Sequence, residues 1–194
     1  MMIEHTSTTQ PILVRSFPNP MNHAQQIIHD PELYEIINGQ KVFMDATGGD
    51  HGWIELNVAS AIRDYARPQR LGRVQVGEVG IYIQRNPDRV RAADVLFISL
   101  ERYTRLSNPS GYLDVAPELV VEVLSPADTV MGMMQKLRDY FSIGVRLVWL
   151  IDPEAHTVFA YRSLTDVREF TEADTLPGDD VLPGFAIPII SLFE

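Results

Sequence analysis

The chain has 194 residues, 45% hydrophobic and 22% charged, which predicts one globular domain with a substantial core rather than a disordered chain. It contains no cysteine, so disulfides, thiolate zinc sites and thiol nucleophiles are excluded. The formal net charge of −10 argues against a protein that coats nucleic acid without discrimination. No segment approaches the ~20 apolar residues of a membrane helix, and the N-terminus lacks the pattern of a secretion signal. We therefore expect a cytoplasmic protein with no membrane partner.

The N-terminal part of the chain predicts an arm followed by a hairpin. Residues 1–20 are polar and broken by prolines, which is typical of a flexible arm, and residues 21–194 are expected to form a single domain. The dipeptide Asn38-Gly39 separates two apolar segments. Because both residues tolerate positive φ, it predicts a β-hairpin over residues 33–44.

A long helix and three strands are predicted next. Apolar residues at helical spacing indicate a helix from about 51 to 67. His51, at its start, is expected to be a cap or a surface residue. Three strand-like segments follow, over residues 74–83, 91–98 and 118–124.

A second helix and a further strand follow in the C-terminal half. Ser125 as a cap, Pro126 at the first position and Asp128 at the third predict a helix start, and an apolar stripe extends over residues 130–141. The nearly all-apolar segment 147–151 predicts a central strand. This alternation predicts an α/β fold in which helices flank a sheet, with additional strands at both ends.

Two carboxylates interrupt apolar segments that should be buried strands. Glu122 lies within residues 119–124, and Asp94 opens residues 94–98. Burying an isolated carboxylate costs several kcal/mol unless a cation or hydrogen-bond donors compensate it, so two of them on separate strands indicate a shared cation. Hard oxygen ligands of this kind suit Mg²⁺ or Mn²⁺. Alternatively, each acid is paired privately with an arginine or a lysine, or lies at an exposed strand end.

Two further residues could complete such a site. Lys136 is one of only two lysines and lies at the edge of the apolar stripe of the second helix. Its ammonium could reach the sheet to orient an attacking water or offset phosphate charge, or it could be a solvated boundary residue. Glu78, a third acid within a strand-like segment, could be a further metal ligand or an anchor for an arginine.

Arginines are concentrated in the middle of the chain. Residues 63–105 hold nine arginines against five acids, a local excess of +4. Such a segment could guide an anion to one face of an otherwise acidic protein, or its arginines could be solvated and paired with nearby acids. The candidate DNA contacts are five of these arginines: Arg63, Arg67, Arg70, Arg73 and Arg91.

In combination, these motifs resemble the Uma-type family of restriction-endonuclease-like proteins. The likeness covers about residues 30–193. It is carried by Asp94, Glu122-Val123-Leu124-Ser125-Pro126, Lys136 and the segment 145–153, and the segments 48–52 and 180–185 fit the same family.

The resemblance implies a PD-(D/E)XK nuclease fold and metal-assisted cleavage of phosphodiester bonds in DNA. It assigns Asp94 and Glu122 to the metal, and Glu78 matches an acid on the preceding strand. The lysine that usually follows the second acid is replaced by Leu124, and Lys136 on the next helix takes its role. The expected catalytic residues are therefore Asp94, Glu122 and Lys136, with Mg²⁺ or Mn²⁺ as cofactor.

Two functions follow from the resemblance. The first is a magnesium-dependent DNA endonuclease, and the second is a catalytically silent module of the same fold that acts in binding or assembly. The predicted hairpin and outer strands present sheet edges that a twofold partner could cover, which favours a homodimer.

Overall fold

The computed structural model describes residues 33–194. The arm predicted for residues 1–20 lies outside this range. The helices are α1 (Gly49–Ala66), α2 (Leu100–Tyr103) and α3 (Val130–Ser142), with a 3₁₀-helix at Ile189–Leu192. The strands are β1 (Tyr34–Ile37), β2 (Gln40–Phe43), β3 (Gly72–Gln84), β4 (Arg89–Ser99), β5 (Leu119–Val123), β6 (Leu147–Asp152), β7 (Thr157–Tyr161), β8 (Val167–Phe170), β9 (Thr175–Pro177) and β10 (Ala186–Pro188).

Eight strands form one mixed sheet, in the order β2-β1-β4-β5-β6-β7-β8, with β3 also paired to β4. Neighbours are antiparallel except β5 and β6, which are parallel. Strands β9 and β10 form a separate pair. Helix α1 packs on one face of the large sheet and α3 on the other. The predicted fold class, a mixed sheet flanked by helices with antiparallel strands at both ends, is confirmed.

The two cores on either side of the sheet follow from the alternation of side chains along β4 and β5. Val95 and Phe97 pack toward α1, whereas Leu96 and Ile98 pack toward α3. Strand β5 is buried along its whole length, which explains its almost continuous apolar sequence. Glu122 in this strand must therefore find its polar partners inside the protein.

Strand β4 has one edge that two other strands share. Strand β3 covers nearly the whole of one edge of β4. On the opposite edge of β4, β5 pairs with residues 95–97 and β1 pairs with Val90. Between these two partners, side chains replace the missing ladder. The Ala92 amide donates to Glu35 Oε1 (3.2 Å), and the Ala92 carbonyl accepts from the Tyr140 hydroxyl (3.5 Å). Polar side chains are therefore drawn to the place where β1 and β5 separate.

A β-bulge in β3 lies directly opposite Asp94. Val76 pairs with Val95 and Val79 pairs with Ala93, so Gly77 and Glu78 face the single residue Asp94. Gly77 and Glu78 both have positive φ, at +87° and +49°. Such bulges bend a strand and re-aim its side chains, often beside active sites.

Helix α3 begins later than predicted. Its cap is Thr129, whose hydroxyl accepts the Gly132 amide (3.1 Å). The expected cap, Ser125, instead forms a turn in which its amide and hydroxyl both donate to Asp128 Oδ2 (2.8 Å each). The Ser-Pro-x-Asp pattern therefore closes a connection before the helix rather than starting it. Over residues 33–194 the structure has no helix with both the length and the apolar character that crossing a bilayer requires.

Candidate active site

The acids and the lysine singled out from the sequence meet in one pocket of about 440 Å³. Its charged and polar lining includes Asp94, Glu122, Glu78, Lys136 and His51. The segments 43–48 and 125–128 contribute most of the remaining lining. The pocket thus lies where β4 and β5 pass between the N-terminal end of α1 and the first turns of α3.

Asp94 is anchored by one backbone donor and one histidine. Its Oδ2 atom accepts the Val123 amide (2.7 Å) and lies 3.3 Å from His51 Nε2. Asp94 is 8% exposed. Both polar contacts of the Asp94 carboxylate within the described residues are made by Oδ2, so Oδ1 is available to a further partner. No arginine or lysine in residues 33–194 forms an ion pair with Asp94, so private pairing with such a cation does not explain why this acid is buried.

Glu122 is held from the α3 side. Lys136 Nζ donates to its Oε2 atom (2.9 Å), and the Tyr140 hydroxyl makes a short hydrogen bond to Oε1. Glu122 is only 2% exposed. Burial, together with the charge of Asp94, raises the pKa of Glu122 to about 7, although Lys136 and Tyr140 both act to lower it. Glu122 therefore pairs with a lysine, as the alternative interpretation of the sequence predicted, but Glu35 shares that lysine.

Lys136 lies between two carboxylates. Its Nζ atom is 2.9 Å from Glu122 Oε2 and 3.8 Å from Glu35 Oε1. Burial on its own would lower the pKa of Lys136, but Glu122 and Glu35 more than offset it, so the pKa is raised and the ammonium stays charged. The alternative of a solvated boundary lysine is wrong, because the Lys136 side chain is only 17% exposed and contacts Glu122.

Arg91 is a correction to the predicted DNA contacts. It is 7% exposed, and its guanidinium donates to Glu35 (2.6 Å) and Asp139 (2.7 Å). The positive charge of Arg91 is therefore neutralised by carboxylates inside the protein. The same network holds Glu35 beside Lys136. The prediction that Arg91 binds a DNA phosphate is wrong.

The other four arginines are exposed, but Arg73 lies on the opposite face of the sheet from α1, because it pairs with Ile98. Arg63, Arg67 and Arg70 lie at or just beyond the C-terminal end of α1. The twelve residue steps along the helix from His51 to Arg63 span ~18 Å at the usual rise. Arg73, near the start of β3, stacks on the Tyr103 ring (4.0 Å) and donates to its hydroxyl (2.9 Å). None of these four arginines lines the pocket.

Glu78 reaches the pocket through the bulge. Glu78 lies opposite Asp94 in the bulge and lines the same pocket. Burial and the charge of Asp94 raise the pKa of Glu78. Within residues 33–194 Glu78 makes no ion pair with an arginine, so the alternative role as an arginine anchor finds no partner there. Its backbone holds a left-handed conformation that non-glycine residues rarely adopt, and such residues cluster at functional sites.

His51 is the site residue that the sequence interpretation missed. It was expected at a cap or on the surface, yet it is 8% exposed and contacts Asp94. The hydrogen bond to Asp94 raises the pKa of His51 against the opposing effect of burial. A signal was present: His51 precedes Ile54 by three residues and Val58 by seven, which places it on the buried face of α1.

Comparison with known proteins identifies the family. A family model described as "Uma2: Putative restriction endonuclease" matches residues 21–190. The chain belongs to the Uma2 family. A crystal structure from Anabaena variabilis, described as a putative nuclease belonging to DUF820, is similar in fold, with a TM-score of 0.71 and 24% identity over 90% of this chain and 98% of that one. The search of curated proteins gave no match.

Membership of the Uma2 family supports a nuclease-like function, and proteins of the restriction-endonuclease-like class generally use divalent metals. Leu124 follows Glu122 by two residues, where the usual motif has lysine, and Lys136 occupies the space beside the second acid from α3 instead.

The donor set of this Uma2 pocket fits a hard cation that keeps much of its water. Among residues 33–194 no three acids or histidines converge closely enough to hold an ion alone. Mg²⁺ typically needs only one or two carboxylates, because waters and substrate phosphates fill its other positions. Asp94 and Glu122 can supply these two carboxylates, with Glu78 beside them. A thiolate or histidine-rich zinc cage is not available here.

Proposed function

We propose that this Uma2 protein is a DNA endonuclease that depends on Mg²⁺ or Mn²⁺ and hydrolyses phosphodiester bonds. The observation that carries the proposal is the shared pocket of Asp94, Glu122, Glu78 and Lys136. These residues come from three strands and a helix that are distant in sequence. A purely structural role for each would not require them to meet around one cavity.

The proposed roles follow from the contacts. Asp94 and Glu122 would hold the metal, and Glu78 would assist. A bound divalent ion supplies activation of water and neutralisation of phosphate charge. Lys136 would position the attacking water, because its ammonium already lies beside Glu122 and a movable lysine donor can turn toward a new acceptor.

The substrate is proposed to approach across the region where α1 ends and β3 begins. Four exposed arginines, Arg63, Arg67, Arg70 and Arg73, would contact phosphates of the DNA backbone. The remainder of the protein is acidic, so these contacts would orient the duplex rather than attract it uniformly. The proposed location is the cytoplasm, where such a substrate is accessible.

Cleavage of supercoiled plasmid DNA in Mg²⁺ or Mn²⁺ tests the proposal. We expect nicked or linear DNA from the native protein and no product from Asp94→Asn or Glu122→Gln. The matched control is Glu101→Gln, because Glu101 is an exposed glutamate whose ion pair within residues 33–194 is with Arg105 on the surface. Cleavage that continues unchanged in Glu122→Gln would show that the activity resides elsewhere.

A catalytically silent module is a second candidate, and one observation favours it. Glu122 already has Lys136 as its cation, so its charge is compensated without a metal. Calorimetric titration with Mn²⁺ separates the two candidates. The endonuclease requires binding that Asp94→Asn removes, whereas the silent module predicts no stoichiometric heat from the native protein.

A homodimer is proposed through the edge of β2. This strand ends the sheet, and its Val42 and Phe43 side chains are 48% and 59% exposed. Unpaired strand edges with apolar side chains are prone to pair with another chain. Sedimentation equilibrium should give twice the mass of the chain, and Phe43→Glu should shift the protein toward the monomer.

A further inference from the structure

The bulge that carries Glu78 is itself held by a side chain from α1. The Gly77 amide donates to Glu55 Oε1 at 3.1 Å. In a regular β3–β4 ladder this position would pair with β4, but the register skips from Val76 to Val79. Glu55 therefore accepts a backbone donor in the stretch where the bulge interrupts the pairing of β3 with β4.

The side chains of Glu55 and His51 extend from one side of α1 to the neighbouring strands β3 and β4. They are four residues apart, which places them one above the other on the helix. His51 contacts Asp94 and Glu55 contacts Gly77, the residue before Glu78. One helix thus fixes both acids of this half of the pocket, Asp94 through its side chain and Glu78 through its backbone.

The arrangement keeps like charges close together. Burial, with the charges of Asp94 and Glu78, raises the pKa of Glu55 against the lowering effect of the Gly77 amide. Three carboxylates of one sign repel each other and would separate if nothing held them. The hydrogen bond from Gly77 therefore opposes this repulsion while it fixes the bulge.

We propose that Glu55 is a positioning residue, which acts through the Gly77 amide to hold the bulge and to place the Glu78 carboxylate opposite Asp94. The consequence for metal binding rests on the proposed function. Two other roles for Glu55 would give different experimental results. A direct metal ligand would need its charge, and a general structural role would affect folding without affecting the pocket.

The contact itself makes a direct ligand role a poor fit. Glu55 does not line the pocket that Asp94, Glu122 and Glu78 share, and its Oε1 atom already accepts from Gly77. What positioning requires is an acceptor at this place rather than a negative charge. Glutamine offers the same acceptor and alanine offers none, so these two substitutions separate the roles.

The experiment compares Glu55→Gln and Glu55→Ala with the native protein and with Glu101→Ala, an exposed control. The first readout is hydrogen exchange of the Gly77 amide by NMR, which needs no metal. We expect exchange to accelerate at least about tenfold in Glu55→Ala and to stay within about twofold in Glu55→Gln. Equal exchange rates in Glu55→Ala and the native protein would overturn the proposal.

The second readout is Mn²⁺ affinity by calorimetry, which tests the consequence for the pocket. We expect Glu55→Ala to bind about tenfold more weakly and Glu55→Gln to stay within about threefold of the native protein. Equal losses in both variants would indicate a direct ligand and overturn the positioning role. Lower thermal stability with unchanged Mn²⁺ affinity would indicate a structural role and overturn it as well.

Failure of the proposed function is distinguishable from failure of this inference. If the native protein binds no Mn²⁺, the metal-dependent endonuclease fails, whereas the Gly77 exchange rates still decide whether Glu55 holds the bulge. If Glu55→Ala does not fold, Glu55→Asp replaces it, because the side chain is one methylene shorter and cannot keep the 3.1 Å contact without movement.

Discussion

Asp94 and Glu122 line the same pocket, yet their surroundings are opposite in character. The half around Asp94 collects acids: Glu78 and Glu55 lie near it, and the nearest basic group is His51. The half around Glu122 contains its own cation, because Lys136 and the Tyr140 hydroxyl occupy both of its oxygens. The Asp94 half has a titratable histidine as its basic group, whereas the Glu122 half has a charged lysine.

This difference indicates which half of the pocket would bind a divalent cation more favourably. The acid-rich half gains most from a cation, because the repulsion between Asp94, Glu78 and Glu55 would then be relieved. The Glu122 half gains less and has to loosen the bond from Lys136 first. Glu35, 3.8 Å from Lys136 Nζ, gives the displaced ammonium a second carboxylate, so release from Glu122 need not leave the charge unpaired.

The largest effect is expected when the cation of the Glu122 half is removed. Lys136→Met leaves a buried carboxylate without its partner, which should lower the free energy of unfolding by about 3–5 kcal/mol. Cleavage should also fall by about 100-fold or more, because the donor that positions water is lost. Urea denaturation and plasmid nicking measure these two quantities.

The double variant Lys136→Met/Glu122→Gln sharpens this prediction. Removing both charges should recover most of the lost stability but none of the cleavage. Lys41→Met is the matched control, because Lys41 is the other lysine and lies outside the pocket. Stability that remains low in the double variant would mean that Lys136 acts mainly through packing.

Mn²⁺ affinity should depend on pH through Glu122. The pKa of Glu122 is raised to about 7 from an ordinary value of 4.5, and a metal binds only the deprotonated carboxylate. Below pH 7 the affinity should therefore fall about tenfold per pH unit, as measured by calorimetry between pH 5.5 and about 8. Glu122→Gln should remove this dependence, and an equally steep slope in that variant would assign it to another group.

The same pKa fixes the sign of a stability effect. The folded protein holds a proton on Glu122 more tightly than the unfolded chain does. Without metal, the contribution of Glu122 to stability is therefore largest below about pH 4.5 and is lost as the pH rises to about 7. Glu122→Gln should flatten this part of the pH profile of unfolding.

A smaller effect is expected from the histidine of the Asp94 half. His51→Ala removes a buried partner of Asp94 and should lower the free energy of unfolding by about 1–3 kcal/mol. The pKa of His51 is raised above 6.5, so its charged pair with Asp94 stabilises the protein below pH 6.5, and this stabilisation is lost as the pH rises through the raised pKa. The loss in His51→Ala should accordingly be larger at pH 6 than at about pH 8.5.

The chain provides a matched control for His51. His156 also pairs with a carboxylate, that of Glu172, but its side chain is 46% exposed. His156→Ala should change stability by less than about 1 kcal/mol, because exposed ion pairs contribute little. Equal losses at the two histidines would show that burial of the His51 contact adds nothing.

The acids of the site were predictable, because a charge within a buried strand must be explained. Glu122 and Asp94 interrupt apolar segments, and both line the pocket. The sequence carried weaker signals for the bulge and for His51. A glycine at position 77, inside a strand, is a known sign of a bulge, and the spacing of His51 matched the buried face of α1.

Other features could not be predicted, because they depend on contacts between distant segments. Arg91 is buried by Glu35 and Asp139, which are 56 and 48 residues away in the chain. A count of charges along the sequence cannot distinguish Arg91 from the exposed arginines. The late start of α3 has a different cause: Ser125 and Thr129 both suit a cap, and only the pairing of Ser125 with Asp128 decides between them.

The smallest effect is expected from the exposed arginines on the α1 side. Arg67→Gln and Arg70→Gln should each weaken DNA binding only a few-fold, and each should reduce the slope of log affinity against log salt by about one, as expected for one lost phosphate contact. Fluorescence anisotropy with a duplex in Ca²⁺ measures both quantities. The control is Arg138→Gln, an exposed arginine on α3, whose slope should match the native protein. An unchanged slope in the α1-side variants would mean that DNA approaches from the Glu122 half instead, where the lysine of the pocket lies.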